Sequence, residues 1–199
     1  MRNFLWSTAA AALLATAAWA QDEDMQWAVL DLGGGFSIEV PAVLADRALP
    51  GKTAPKDVMM SFGVDAGAPG TLSCQLTRSA YPADLPREIL AASLAKGDTG
   101  DFCTVARPGT SGQQKGEPIA GQTDGVPSAT CLSAYTDESQ EIQGRVLTMA
   151  VVAAKKNFYR LTCVSAYDDQ DGATVAYASR WSPIISRMQK SFKLAADEK

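Results

Sequence analysis

The stretch TCLSAYTDE at Thr130–Glu138 returns as TCVSAYDDQ at Thr162–Gln170, and its Ser-Ala-Tyr also closes LSCQLTRSAY at Leu72–Tyr81. Between the first two lies the apolar run GRVLTMAVVAA, flanked by the turn-forming segments TDESQE and KKN. Read together, SATCLSAY, GRVLTMAVVAA and FYRLTCVSAY alternate as strands joined by short turns, which describes an antiparallel meander. A turn centred on Ser139–Gln140 sets Cys131 opposite about Thr148. A turn centred on Lys156 sets Cys163 opposite Thr148 or Ala150. Both cysteines then flank one middle strand, two strand spacings or roughly 9.6 Å apart, beyond the ~7 Å Cα limit for a disulfide. Cys131 and Cys163 are therefore expected not to bond to each other.

The chain upstream supplies more strands. EPIAG, at Glu117–Gly121, leads into the meander. Phe36–Val40 reads as a strand stopped by Pro41, while DVMMSFGVD and TLSCQLTRSAY read as two more, separated by AGAPG. In ADLPREILAASLAKG the period changes: Leu85, Ile89, Leu90 and Leu94 fall at helical spacing, with Asp84 as cap and Gly97 as stop. RPGTSGQQKG reads as a polar surface loop, and GGG at Gly33–Gly35 as a flexible lead-in. The last segment, to SRWSPIISRMQKSF, reads as a helix capped near Asp171, with Pro183 expected to kink it or mark a break. Its stripe of Trp181, Ile184, Ile185 and Met188 is expected to pack on the sheet. The fold class is α+β, with a central antiparallel sheet of about six or seven strands flanked by helices.

MRNFLWSTAAAALLATAAWA has one basic residue, a short alanine-rich apolar run and Ala18-Trp19-Ala20, the pattern of a cleaved secretory signal. Residues 1–20 are thus expected to be removed, leaving a single domain over 21–199 and no membrane span in the mature chain. The expected location of the mature chain is the periplasm. The mature chain carries 17 basic against 22 acidic residues, a balance that argues against nucleic acid as a partner. Cys74, Cys103, Cys131 and Cys163 form an even set without CxxC, as expected of two disulfides in an exported chain. Since Cys131–Cys163 is disfavoured, the preferred pairing is Cys74–Cys163 with Cys103–Cys131. The runner-up is Cys74–Cys131 with Cys103–Cys163.

FSIEVP, EPIAGQTDGVPSATC, VLTMAVVAAKKNFYRLTC and the terminal SFKL are together similar to the Mog1/PsbP-like fold superfamily, which includes many small exported bacterial proteins. The resemblance implies a central antiparallel sheet with helices against it. A photosystem extrinsic subunit and a nuclear-transport factor share that fold, so it implies no activity, and no functional residue of either is matched here.

The chain contains no histidine, which removes Ser-His-Asp and Cys-His catalysis and the usual zinc sites. Ser93 and Lys96 match SxxK but lack SDN and KTG, so they read as a helix end. Asp169-x-Asp171-Gly172 resembles part of a calcium loop, yet position twelve is Arg180 rather than Glu. No cofactor, metal or catalytic residue is expected. Tyr135 and Tyr167 reach the same sheet end, near Gly144. They either shield that glycine structurally or wall a slot for a planar or sugar ligand. The chain reads as a non-catalytic binding or accessory protein whose partner is another envelope protein or a small molecule. The alternative is a carboxylate-dependent hydrolase acting on an envelope glycan, which needs two acids facing across a cleft.

Overall fold

The computed structural model describes residues 25–48, 55–64, 71–103, 110–114, 117–137, 144–167 and 181–199. The signal segment, the turn TDESQE beyond Asp137 and the acids at Asp169 and Asp171 lie outside them. Among the described residues nine strands form two sheets. A hairpin pairs β1 (Trp27–Gly33) with β2 (Phe36–Pro41). The large antiparallel sheet runs β3 (Val58–Val64), β4 (Thr71–Ala80), β9 (Asn157–Tyr167), β8 (Gly144–Ala153), β7 (Val126–Asp137) and β5 (Thr110–Gln114). A seventh strand, β6 (Ile119–Thr123), takes the other half of the outer edge of β7. The expected meander is β7–β8–β9.

Register shows why the two look-alike strands differ. Cys163 pairs with Thr148, as expected, but Cys131 pairs with Met149, one residue from the expected position. Side chains alternate along a strand, so a one-residue offset is a change of face. Cys163 points into the larger core with Leu72, Cys74, Leu76 and Leu161, whereas Cys131 points into a second core with Leu147, Met149 and Val151. Distance alone suggested that these cysteines do not bond; the sheet itself stands between them.

Each face has its own cover. The hairpin, helix α1 (Ala42–Ala48) and the terminal helix α3 (Ser182–Ser191) close the larger core. Trp181, Ile184, Ile185 and Met188 are all buried there, as their spacing requires. Helix α2 (Arg87–Leu94) and a 3₁₀ turn at Gly100–Cys103 cover the other face through Leu90, Leu94 and Phe102. At 25 cal/mol per Å², burying such side chains contributes roughly 1.5–3 kcal/mol each.

Several local expectations are corrected. The GGG segment is the turn of the β1–β2 hairpin, with positive φ at Gly33, Gly34 and Gly35. That conformation favours glycine and matches the twist of a tight hairpin. Part of the expected polar loop is β5, an edge strand held by backbone pairing to β7, for which no apolar alternation is needed. Pro183 does not kink a long helix within the described residues. It stands in the first turn of α3, where its missing N–H costs nothing. Among the described residues one disulfide is seen where two were expected, Cys74–Cys163, joining directly paired positions of β4 and β9. The side chain of Cys103 lies outside the described residues, and none of the described cysteines is free.

Candidate functional site

Helix α3 presents its apolar stripe inward, so Pro183, Ser186, Arg187 and Lys190 form the opposite stripe. On the hairpin, Val29 pairs with Glu39, and the alternation places both away from Leu30, Ile38 and Val40 in the core; Trp27, paired with the buried Pro41, is half-buried against that core. The two outer surfaces meet in an open depression lined by Glu39, Pro183, Ser186, Arg187, Lys190 and Ser191. Arg187 organises it. Its Nε donates to Glu39 Oε2 at 2.8 Å, and its guanidinium lies 4.2 Å from the centre of the Trp27 ring. Ser191 fastens helix to hairpin, accepting the Glu39 N–H at 2.9 Å and donating to the Met188 carbonyl at 2.9 Å. Val29, beside this cluster on the hairpin, is 71% exposed. Arg187 keeps about half of its side chain in solvent, so its planar donors are pre-oriented but accessible.

The C-terminal segment is held at two turns. Asp124 and Gly125, both at positive φ, make the β6–β7 turn in the conformation that a two-residue hairpin needs. The Asp124 carboxylate accepts the Leu194 N–H at 2.9 Å and pairs with Lys199 at 2.8 Å. Burial opposes ionisation of Asp124, but the bonds from Lys199 and Leu194, together with Lys193, hold its carboxyl below the usual range. At the β8–β9 turn, the Glu198 carboxylate accepts the N–H of Lys156 at 2.9 Å, the N–H of Asn157 at 3.3 Å and the side-chain amide of Asn157 at 2.5 Å. Burial again opposes the charge, and those hydrogen bonds outweigh it, so Glu198 also sits below the usual range. Asp197 is held low by its ion pair with Lys156. Nearby, Tyr81 donates to the Ala154 carbonyl at 2.5 Å and Arg87 to the same oxygen at 3.2 Å. Burial pushes the Tyr81 phenol up to about 12.

The residues singled out from sequence are placed as follows. The backbone register sets Tyr167 opposite Gly144 and Tyr135 opposite Arg145, with Thr136 as the other neighbour of Gly144. The side chains of Tyr135 and Tyr167 lie outside the described residues. Ser93 and Lys96 end α2, where the Ser93 carbonyl accepts the N–H groups of Lys96 and Asp98. Among the described residues no group of three or more histidine, cysteine, aspartate or glutamate side chains is placed to hold a metal. No helix of the described residues is long and apolar enough to cross a membrane. Sequence reading missed Trp27, Glu39 and Arg187, whose only signal is that Arg187 opposes the apolar stripe of its helix. It also missed Asp124, although the Asp-Gly pair between EPIAGQT and VPSATC is itself a hairpin turn signal.

The chain matches the Ran-binding protein Mog1p of Saccharomyces cerevisiae with a TM-score of 0.52 and 11% identity, over 86% of this chain and 96% of that one. A point mutant of Mog1 matches at 0.53, again with 11% identity, over 86% and 97%. The fold is Mog1/PsbP-like. The PsbP protein of a Synechocystis species matches at 0.42 and 14% identity, over 85% and 92%, a score that carries no argument by itself. No protein-family profile matches the chain, and no curated protein matches it by sequence. At these identities the likeness to Mog1 concerns the Mog1/PsbP-like fold alone.

Proposed function

We propose that this Mog1/PsbP-like chain is an exported, periplasmic, non-catalytic binding protein, a single domain over 21–199 that engages another envelope protein or a small molecule through the α3–hairpin surface. The observation that carries this reading is the preset Trp27–Arg187–Glu39 cluster beside exposed Val29. Tryptophan and arginine are the side chains most enriched among interface residues that dominate affinity. Ran binding belongs to the yeast Mog1p; it shows that a protein of this fold uses its surface to hold another protein.

Export is supported by the signal-like N-terminus and by the buried Cys74–Cys163 bond, since structural disulfides persist in oxidising compartments. The second disulfide belongs to the same proposal. Cys131 faces the core that the 3₁₀ turn at Gly100–Cys103 covers through Phe102, so Cys103–Cys131 would give each face its own bond. Tyr135 and Tyr167 are assigned the structural role of flanking Gly144.

The glycan hydrolase reading gains nothing from Asp124, Asp197 or Glu198. Such a reaction needs a carboxylic acid with a raised pKa, whereas Asp124, Asp197 and Glu198 are all held low.

The test is capture from envelope extract with the mature chain, the Arg187→Ala variant and the Trp27→Ala variant side by side. A species held by the parent and lost by both variants supports the surface; a species held equally by all three overturns it. N-terminal sequencing of periplasmic material should begin Gln21-Asp22, and an intact Met1 in a membrane fraction would overturn export.

A further inference from the structure

Glu198 is 4% exposed although it stands one residue from the end of the described chain. Its carboxylate meets three N–H donors, two from the backbone of the β8–β9 turn and one from the side chain of Asn157. The Lys155 N–H also donates to the Glu198 carbonyl at 2.8 Å. The donors belong to the turn, and only the acceptor belongs to the tail. A second observation points at the same spot. Tyr159 is fully buried, and its phenol is set beside the Glu198 carboxylate and the Asn157 side chain. Burial and the adjacent Glu198 push its phenol up, with Asn157 and Arg78 acting the other way.

We propose that the β8–β9 turn is a recognition site for a small carboxylate, held shut by the chain's own Glu198 and open to a free carboxylate of acetate size when that side chain is withdrawn. The ligand would take the Lys156 and Asn157 amides and the Asn157 side-chain amide. The Tyr159 hydroxyl would be its fourth donor. The charged and titratable groups that face the site are Lys155, Lys156 and Asp197 at the turn and tail, Arg78 on β4, and Tyr81 beyond it. This surface is separate from the α3–hairpin depression, so either proposal stands or falls alone.

The test uses the full chain carrying Glu198→Ala. Amide hydrogen exchange at Lys156 and Asn157 is followed at neutral pH in sodium acetate and in sodium chloride of equal ionic strength. Acetate, and not chloride, is expected to slow exchange at both amides by about tenfold, because exchange there reports local opening of the turn. The parent, whose site is filled, is expected to show no difference between the salts. Equal effects of the two salts, or an equal acetate effect in the parent, would overturn the proposal. Should Glu198→Ala fail to fold, Asn157→Ala with Glu198 intact is titrated by carboxyl carbon NMR. The Glu198 pKa is expected to lie below the ordinary glutamate value in the parent and to rise in the variant; an ordinary value in the parent, or no rise, would overturn the proposal.

Discussion

The two faces of the sheet are made from the same strands, yet they are closed in different ways. The face bearing Cys74 and Cys163 receives the hairpin, α1 and α3, three elements from opposite ends of the chain. The face bearing Cys131 receives α2 and the 3₁₀ turn, both from one continuous stretch between β4 and β5. The first face therefore ties the termini of the described chain into the fold. The second is closed by a local excursion. A nearly identical sequence, Thr-Cys-x-Ser-Ala-Tyr, feeds a cysteine to each side because β7 and β9 meet β8 with an offset of one residue.

The strongest way to break this asymmetry is to remove the bond on the first face. Replacing both Cys74 and Cys163 by alanine frees a loop with a sequence separation of 89. In the chain-entropy account this should cost about 4–5 kcal/mol, read from denaturant unfolding. Non-reducing peptide mapping of the parent should yield Cys74–Cys163 and Cys103–Cys131 peptides. A Cys131–Cys163 peptide would contradict the opposite placement of the two side chains.

Core truncation sharpens the contrast next. Met188→Ala, under α3, should cost about 2–5 kcal/mol, since Met188 is fully buried among hairpin and sheet residues. Leu90→Ala, under α2, falls in the same range but toward its lower end, because fewer buried side chains make up the second core. An equal loss in both variants would show that the faces are energetically alike despite their different covers.

Acid should then loosen the first face from its tail. Asp124 and Glu198 have folded pKa values below their unfolded ones, so their contribution is present above the ordinary carboxylate range, about pH 4, and is lost as pH falls through the depressed values. The denaturation midpoint should drop across that window, and Asp124→Asn should flatten the drop. The smallest effects belong to the surface. Arg187→Ala should alter stability by less than about 1 kcal/mol, because its ion pair with Glu39 is largely solvated. Tyr135→Phe and Tyr167→Phe should likewise change stability by under about 1 kcal/mol if the rings act only as cover for Gly144. Loss of a screened ligand in those Phe variants would instead favour the slot.

The sheet was legible because its signal is repetitive. Leu72–Ala80, β7 and β9 alternate, β8 is a continuous apolar run between them, and the stripe from Trp181 to Met188 has the helical period. β1, α1 and β5 were not legible, for three different reasons. β1 is a half-buried hairpin edge after a charged run, α1 is two turns long, and β5 is held by backbone pairing without an apolar pattern. The candidate surface was less legible still. Trp27, Glu39 and Arg187 are brought together by the docking of α3 on the hairpin, across more than a hundred residues of sequence, and no local pattern encodes that contact. Register was predicted to within one residue, and that single residue decided which face Cys131 serves.

The pairing of Cys74 with Cys163 has a consequence for how the molecule is made. Cysteines leave the ribosome in the order 74, 103, 131 and 163, so the first thiol must wait for the last while two competitors are already present. Oxidation in order of appearance would join Cys74 to Cys103 and trap the chain before β9 exists. Reaching the native bond thus requires either late oxidation or reshuffling through mixed disulfides, which takes seconds to hours without fast exchange. A disulfide isomerase should therefore raise the yield of correctly paired chain wherever oxidation precedes the arrival of β9.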